Sequence, residues 1–199
     1  MRDRMGREID YLRVSVTDRC NLRCRYCMPG GVPSVEHAEV LRYEELLRLC
    51  GLAAGLGTHA FKVTGGEPLV RRDCMSFLAE LKKLRGVEQV TLTTNGILLP
   101  DHLEALRTAG VDGINVSLDT LDDGLYSSLT GAPPGTAALV WRAAEASAAM
   151  GIHTKLNAVL LPETVEGIVE LTAAADTVPA DIRFIELMPI GAGKGRKGL

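Results

Sequence analysis

The sequence has few aromatic residues, few cysteines and no long apolar run, and its charges nearly balance. Aromatic residues make up 4% of the 199 residues, and the formal net charge is -3. Because a nearly neutral chain has no overall basic field, neither nucleic acid nor an anionic membrane is expected as a partner. The apolar runs are too short to cross a bilayer, and the N-terminus has no apolar signal-peptide region. These absences predict a cytoplasmic protein.

The cysteines are five in number and unevenly placed. An odd count without an export signal argues against a disulfide framework and fits a reducing compartment. Cys50 and Cys74 each fall in an amphipathic helical pattern, so both are predicted to be small core residues. That leaves three cysteines to explain.

Those three, Cys20, Cys24 and Cys27, are spaced C-x3-C-x2-C directly after a short apolar segment. A structural zinc site uses four protein ligands in a closed tetrahedron. Three thiolates on a cubic iron–sulfur cluster would instead leave one iron without a protein ligand. Since an open iron can chelate a substrate or cofactor, the spacing predicts a site of chemistry.

Short apolar segments alternate with amphipathic ones along the chain. Strands are predicted at 12–16, 60–63, 90–92, 114–118, 152–160 and 182–186. Helices are predicted at 43–56, 73–84, 100–108, 136–150 and 163–175, with a single irregular helical turn at 122–128. Asp73 is the candidate N-cap of the second helix.

This alternation indicates βα units in an α/β fold with a parallel sheet and right-handed crossovers. Six units favour a partial (βα)6 TIM-type barrel, open on one side, over a doubly wound sheet. Residues 1–190 form the predicted core domain, and the Gly- and Lys-rich residues 191–199 form a predicted flexible tail. Because no helix follows the sixth strand, the architecture is expected to be truncated there.

Polar residues and glycines recur where the predicted strands end. They occur in the cysteine loop and at 64–68, 93–96, 117–119, 155–157 and 186–189. In parallel barrels the loops at the carboxyl ends of the strands build the active site. The agreement of six segments predicts one functional rim, although Asn95-Gly96 taken alone is also a common turn sequence.

Two features of this rim suggest ligands. Gly65-Gly66 would let backbone carbonyls approach and receive an ammonium group, with Glu67 as a nearby anion. Arg13 and Lys62 lie within strands near the rim and would form an anion site if they pointed inward. They could equally be exposed or ion-paired, and the pattern leaves both readings open.

Together, the cysteine spacing, Tyr26 before the last cysteine and Gly-Gly-Glu-Pro after the second strand resemble the radical S-adenosylmethionine enzymes. Residues 12–21, 93–96, 115–119 and 183–188 are similar to the GTP 3′,8-cyclase family of molybdenum cofactor biosynthesis. The resemblance runs from about residue 10 to residue 191, with its helices and strands in order.

The resemblance implies a role for each of eleven residues. Cys20, Cys24 and Cys27 would bind one 4Fe–4S cluster, whose open iron the amino and carboxylate groups of S-adenosylmethionine would chelate. Tyr26, Gly66, Ser117 and Met188 match the family's S-adenosylmethionine contacts, whereas Arg13, Lys62, Thr93 and Lys155 match its GTP contacts. Lys62 stands where the family usually has arginine, so the charge is kept without the bidentate fork. No further catalytic side chain is implied beyond the cluster and cofactor.

The implied substrate is GTP, which the complete family protein converts to (8S)-3′,8-cyclo-7,8-dihydroguanosine 5′-triphosphate. A one-electron donor such as flavodoxin or ferredoxin is the implied partner, and a homodimer is left open. Family members bind a second 4Fe–4S cluster through three later cysteines, but no cysteine follows Cys74 here. Two alternatives stand beside this reading: a peptide-modifying radical enzyme, and a truncated remnant without catalytic activity.

Overall fold

Six parallel strands lie side by side in the order in which they occur in the chain. The computed structural model describes residues 2–31, 39–188 and 192. The strands are β1 (Tyr11–Ser15), β2 (Ala60–Thr64), β3 (Gln89–Thr94), β4 (Gly113–Ser117), β5 (His153–Leu160) and β6 (Ala180–Glu186). The helices are α1 (Tyr43–Gly55), α2 (Cys74–Lys83), α3 (Leu103–Thr108), α4 (Asp123–Thr130), α5 (Thr136–Ala149) and α6 (Ile168–Ala175). Short 3-10 turns occur at Pro68–Val70, Leu99–His102 and Val165–Gly167.

The predicted α/β architecture is confirmed. Each strand begins and ends within two residues of its predicted position. Every strand pairs in parallel with its neighbour in the chain, and β1 and β6 are the two edges of the sheet. The sheet is therefore a partial barrel that is open between β1 and β6. Of the predicted tail, every residue except Ala192 lies outside the described residues.

Two local predictions are wrong. The segment predicted as one irregular turn at 122–128 is the regular helix α4, whose first turn is capped by the Asp122 carboxylate accepting from the Leu125 N–H at 2.7 Å. An N-cap of this kind stabilises a helix by about 1 kcal/mol. Asp73 precedes α2 but does not cap it with its side chain, because its backbone is left-handed with φ of 61°.

The two faces of the sheet differ in chemistry. Alternate residues such as Val63, Leu92 and Ile114 are fully buried under the helices and form the core. Cys50 and Cys74 also lie in this core, as predicted. The residues between them point to the concave side, so the barrel interior is lined mostly by polar and charged side chains.

The strand β6 is poorly covered. Phe184 is 37% exposed on its outer face and Ile185 is 39% exposed on its inner face. This agrees with the expectation that the sixth strand lacks cover. Among residues 2–31, 39–188 and 192, no helix has both the length and the apolar composition that a membrane crossing requires.

Candidate functional site

Three thiols face one cavity at the carboxyl end of the sheet. Cys20, Cys24 and Cys27 follow β1 and line this cavity of about 390 Å³, called here the upper cavity. All three are free, with Cys20 and Cys24 half-buried and Cys27 exposed. The Leu22 N–H donates to the Cys20 sulfur over 3.4 Å. The structure therefore brings the three cysteines together at one cavity, and their role as ligands stays a prediction.

The end of α4 holds the cysteine loop in place. The Arg23 N–H donates to the Thr130 carbonyl at 2.9 Å, and the Arg25 N–H donates to the Leu129 carbonyl at 2.8 Å. Carbonyls in the last turn of a helix lack partners within the helix, so they are free to accept these bonds. The helix that the sequence pattern underestimated is thus a support of the site.

A buried carboxylate ties the same loop to the sheet. The Tyr26 hydroxyl donates to Asp119 Oδ2 at 2.5 Å, and the Val159 N–H donates to Asp119 Oδ1 at 2.8 Å. Asp119 is only 6% exposed. Burial raises the pKa of Asp119, while the bonds from Tyr26 and Val159 oppose that rise. The aromatic residue of the cysteine motif is therefore fixed against the ends of β4 and β5.

The thiols fit an iron–sulfur cluster. Burial, followed by the charges of Asp119, Cys20 and Cys27, raises the pKa of Cys24 to about 12. Three thiolates that line one cavity repel one another unless a cationic centre binds them, and a metal deprotonates the thiols that ligate it. In the described part of the chain, no three Cys, His, Asp or Glu side chains converge on a point for a single metal ion. A cubic cluster takes one thiolate on each of three irons, so the three sulfurs need not converge on one atom.

Gly65-Gly66 lies directly against the backbone that enters the cysteine loop. The Gly66 N–H donates to the Thr17 carbonyl at 2.7 Å. A Cβ added at Gly66 would lie 2.5 Å from the Asp18 carbonyl oxygen and closer still to that of Arg19. Only glycine allows this approach of two backbone segments. Both glycines line the upper cavity, which is where an ammonium group would have to meet their carbonyls.

Glu67 does not act as an anion facing this cavity, which corrects the sequence interpretation. It is fully buried and accepts bonds from the Thr94 hydroxyl at 2.8 Å, the Asn95 N–H at 2.7 Å and the Leu69 N–H at 3.0 Å. Burial raises the pKa of Glu67, and these three bonds counter the rise. Its carboxylate therefore joins the loops after β2 and β3 by hydrogen bonds on the core side.

Asn95-Gly96 forms a turn and also contacts the cysteine loop. Gly96 has φ of 81°, as a turn glycine should. The Asn95 side chain, however, donates to Asn21 Oδ1 at 2.7 Å and lies 3.9 Å from the Cys20 sulfur. It thus joins the loop after β3 to the cysteine loop.

The structure brings together the four residues expected to contact S-adenosylmethionine. Tyr26, Gly66, Ser117 and Met188 all line the upper cavity. Their individual contacts stay predictions. The sequence reading missed Tyr126, which also lines this cavity, is 1% exposed and has a hydroxyl without a hydrogen-bond partner among the described residues. The hydroxyl is buried at the edge of the cavity, and only the folding of α4 onto the loop places it there.

Below the thiols the barrel interior is cationic. A central cavity of about 460 Å³ is lined by Arg13, Lys62 and Arg183, together with Thr93 and Asn157. Burial, followed by the charges of Arg183, Arg13 and Lys155, lowers the pKa of Lys62. Arg13 and Lys62 both line this cavity from the concave face, Arg13 as an exposed side chain and Lys62 half-buried, and their role as an anion site stays a prediction. Arg183 was not singled out from the sequence, although the period-two alternation of β6 places it on the concave face.

Lys155 lies further down the barrel. With Lys62, Arg183 and His153 it lines a lower cavity of about 220 Å³. Its ammonium group is 3.0 Å from Asp181 Oδ2. Of the four residues expected to contact GTP, Arg13 and Thr93 line the upper and central cavities, Lys62 the central and lower ones, and Lys155 the lower one.

Comparisons with known proteins agree with this geometry. Residues 14–175 match the family model described as the Radical SAM superfamily. The chain is 48% identical over 202 residues to the GTP 3′,8-cyclase of Heliobacterium modesticaldum, covering 98% of this chain and 60% of that protein. It is 44% identical over 194 residues to that of Moorella thermoacetica, covering 96% and 59%. The chain thus spans less than two thirds of the length of these curated relatives.

Solved structures share the fold. Streptococcus suis SuiB bound to its precursor peptide SuiA superposes with a TM-score of 0.81 at 22% identity, covering 96% of this chain and 42% of that one. Native anSMEcpe with bound AdoMet gives a TM-score of 0.72 at 21% identity, covering 91% of this chain and 52% of that one. At such low identity these likenesses bear on the fold alone.

Proposed function

The chain belongs to the radical S-adenosylmethionine superfamily, and on that premise we propose that it supplies the cofactor- and substrate-binding barrel of a GTP 3′,8-cyclase. The overall reaction is the conversion of GTP to (8S)-3′,8-cyclo-7,8-dihydroguanosine 5′-triphosphate in molybdenum cofactor biosynthesis. The 44–48% identity to proteins of that name supports the proposal. The division into a core of residues 1–190 and a tail, the electron donor and a homodimer are likewise predictions.

One observation carries this proposal: the thiol-lined cavity and the cationic cavity adjoin. Arg13, Thr93, Asn157 and Ile185 line both the upper and the central cavity. A group bound at the thiols and a polyanion bound by the cations would therefore meet at these shared residues. Holding two reactants in contact inside a barrel is the geometry that a reaction between them needs.

The residues assigned to each group fit its chemistry. Cys20, Cys24 and Cys27 would hold a 4Fe–4S cluster, and Gly66 and Tyr26 adjoin the place where S-adenosylmethionine would bind. When bound and reduced by an external one-electron donor, the cluster would supply the electron for cleavage of S-adenosylmethionine into methionine and the 5′-deoxyadenosyl fragment that would take hydrogen from the C3′ position of GTP. The cofactor carries this chemistry, and the protein orients the groups and excludes water.

The charge of the barrel interior suits a triphosphate. Arg13, Lys62 and Arg183 line the central cavity, and none of the described residues that line the central or lower cavity carries a carboxylate. Guanidinium groups bind phosphate oxygens through paired hydrogen bonds, whereas Lys62 offers a compact charge. Three cations in this position suit a triphosphate better than a peptide without acidic side chains, and on this ground we favour a nucleotide over the peptide-modifying alternative.

The proposal is tested by anaerobic reconstitution of the chain with iron and sulfide. It should yield a brown protein that, with reductant and S-adenosylmethionine, forms 5′-deoxyadenosine. GTP should protect Lys155 from acylation, measured by mass spectrometry, but should not protect Lys83, which lies on the outer helix α2 beside Glu80. Formation of 5′-deoxyadenosine without protection of Lys155 would indicate a radical enzyme with another substrate. A brown but inert protein with a sheet protected from hydrogen exchange would support the non-catalytic alternative.

Substitution of Arg183 by glutamine should weaken GTP binding about tenfold, because a charge-assisted contact to phosphate contributes about 1.5 kcal/mol or more. Equilibrium binding measured by calorimetry at two salt concentrations should also show a smaller salt dependence, since one cation is lost. Arg107→Gln is the matched control, because Arg107 pairs with Glu104 on the exposed side of α3. Equal affinity in the two variants would remove Arg183 from the proposed substrate site.

A further inference from the structure

One carboxylate pairs with a cation of the barrel interior. Asp181 Oδ2 lies 3.0 Å from the Lys155 ammonium and 3.0 Å from His153 Nε2. Lys155 and Asp181 are register partners on β5 and β6, and His153 precedes Lys155 by two residues on the same face of β5. Asp181 itself does not line the lower cavity, but it contacts a lysine that does, and the side chain of that lysine is only 23% exposed.

The surroundings of Asp181 are strongly cationic. Lys62, Lys155 and Arg183 line the lower cavity, and Arg13 joins Lys62 and Arg183 in the central one. Hydrogen bonds from Lys155 and then His153 lower the pKa of Asp181, which favours the ionised carboxylate. The four cations outweigh the single Asp181 carboxylate, so the interior still attracts a polyanion. The Lys155 ammonium, however, is already paired with Asp181.

We propose that Asp181 is an internal counterion that competes with the phosphate groups of a substrate for Lys155. The inference rests on the proposed function, because it concerns the same triphosphate-binding interior. A phosphate oxygen and the Asp181 carboxylate need the same ammonium group, so binding at Lys155 requires the carboxylate to move away or to accept a neighbouring negative charge. Asp181 is thereby a positioning residue that sets how strongly anions bind.

The exposure of the pair makes this exchange feasible. The Asp181 side chain is 57% exposed and can turn toward solvent, and it keeps His153 as a partner on that side. Ion pairs this exposed contribute little free energy, so a triphosphate can displace the carboxylate at small cost. A single phosphate that reached only Lys155 would also have to displace Asp181, but it would make fewer contacts to offset that free-energy cost. Asp181 therefore favours ligands long enough to reach Arg13, Lys62 or Arg183 as well.

The test is the affinity of the full chain for inorganic tripolyphosphate and for GTP, measured by calorimetry at low salt. Asp181→Asn should lower the dissociation constant of both ligands by about two- to fivefold, the worth of one exposed ion pair. Asp181→Glu, which keeps the charge, should restore weaker binding. Glu80→Gln is the matched control, because it removes the same charge from an exposed pair with Lys83 on α2, and it should leave both constants unchanged.

The direction of the change separates competition from structural damage. A disturbed barrel would bind anions more weakly, so unchanged or weaker binding by Asp181→Asn overturns the inference, as does failure of tripolyphosphate to bind any variant. Asp181→Ser provides a second uncharged variant in case the asparagine folds poorly. If tripolyphosphate binds more tightly to Asp181→Asn while GTP binds neither protein, the counterion role stands and the GTP proposal falls. If GTP binds both proteins equally, the reverse holds.

Discussion

Replacement of Cys24 by alanine is expected to abolish binding of the iron–sulfur cluster. Cys24 is the middle member of the three thiols that line the upper cavity, and its loss would leave two protein ligands for four irons. Anaerobically reconstituted protein should lose the brown colour and the visible absorption of the cluster, and 5′-deoxyadenosine formation should fall below detection. Iron and sulfide per chain, measured after gel filtration, give the quantitative result.

The same substitution at Cys50 is the matched control. Cys50 lies on the buried face of α1, is 1% exposed and does not line the upper cavity. Its replacement by alanine removes one sulfur atom from the packing and should lower the free energy of unfolding by about 1 kcal/mol without loss of iron. Retention of a full cluster by Cys24→Ala would contradict the assignment of the three-cysteine motif, and with it the basis of the proposed function.

Replacement of Gly66 by alanine is expected to destabilise the rim by about 3 kcal/mol or more. The added Cβ would come within 2.5 Å of the Asp18 carbonyl oxygen and closer to that of Arg19. Backbone on both sides of the contact cannot yield without moving the segment that leads into Cys20, and overpacking of this kind is costly. Urea unfolding should show the lost stability, and reconstitution should show reduced iron content even where the protein remains folded.

Gly30→Ala is the matched control for the close backbone contact at Gly66. Gly30 also lies just after the cysteine motif, but a Cβ added there meets nothing within 4 Å. This variant should keep the stability and the iron content of the parent protein to within about 0.5 kcal/mol. Equal behaviour of Gly66→Ala and Gly30→Ala would mean that the two backbone segments need not touch for the site to form.

The positions of the elements follow from local sequence. Short apolar segments ended by glycine or polar residues predicted all six strands, because the strands of a parallel sheet covered by helices are rich in buried apolar residues. The one element underestimated was α4, whose eight residues carry a short and weak apolar pattern. Its regularity depends on the Asp122 cap and on the cysteine loop that bonds to its last turn.

The residues of the site were likewise predictable only in part. Cys20, Cys24 and Cys27 were predicted as one site because their ligand spacing is local, and Gly66 because two glycines beside a strand end are conspicuous. Glu67 was misread because the sequence does not tell which way a carboxylate at a strand end points. Three donors from the loops after β2 and β3 turn it inward to the core.

The sequence by itself therefore determined the three-thiol motif, the alternation of strands and helices, and the rim on which the polar residues gather. Only the tertiary structure decided which polar side chains share a cavity. The approach of Tyr26 to Asp119, of Arg183 to Lys62 and of Asp181 to Lys155 depends on the register and curvature of strands that are distant in the chain. Local residue patterns fix which face of a strand is buried, but the pairing of separate strands fixes which charges meet, and that pairing is a property of the whole sheet.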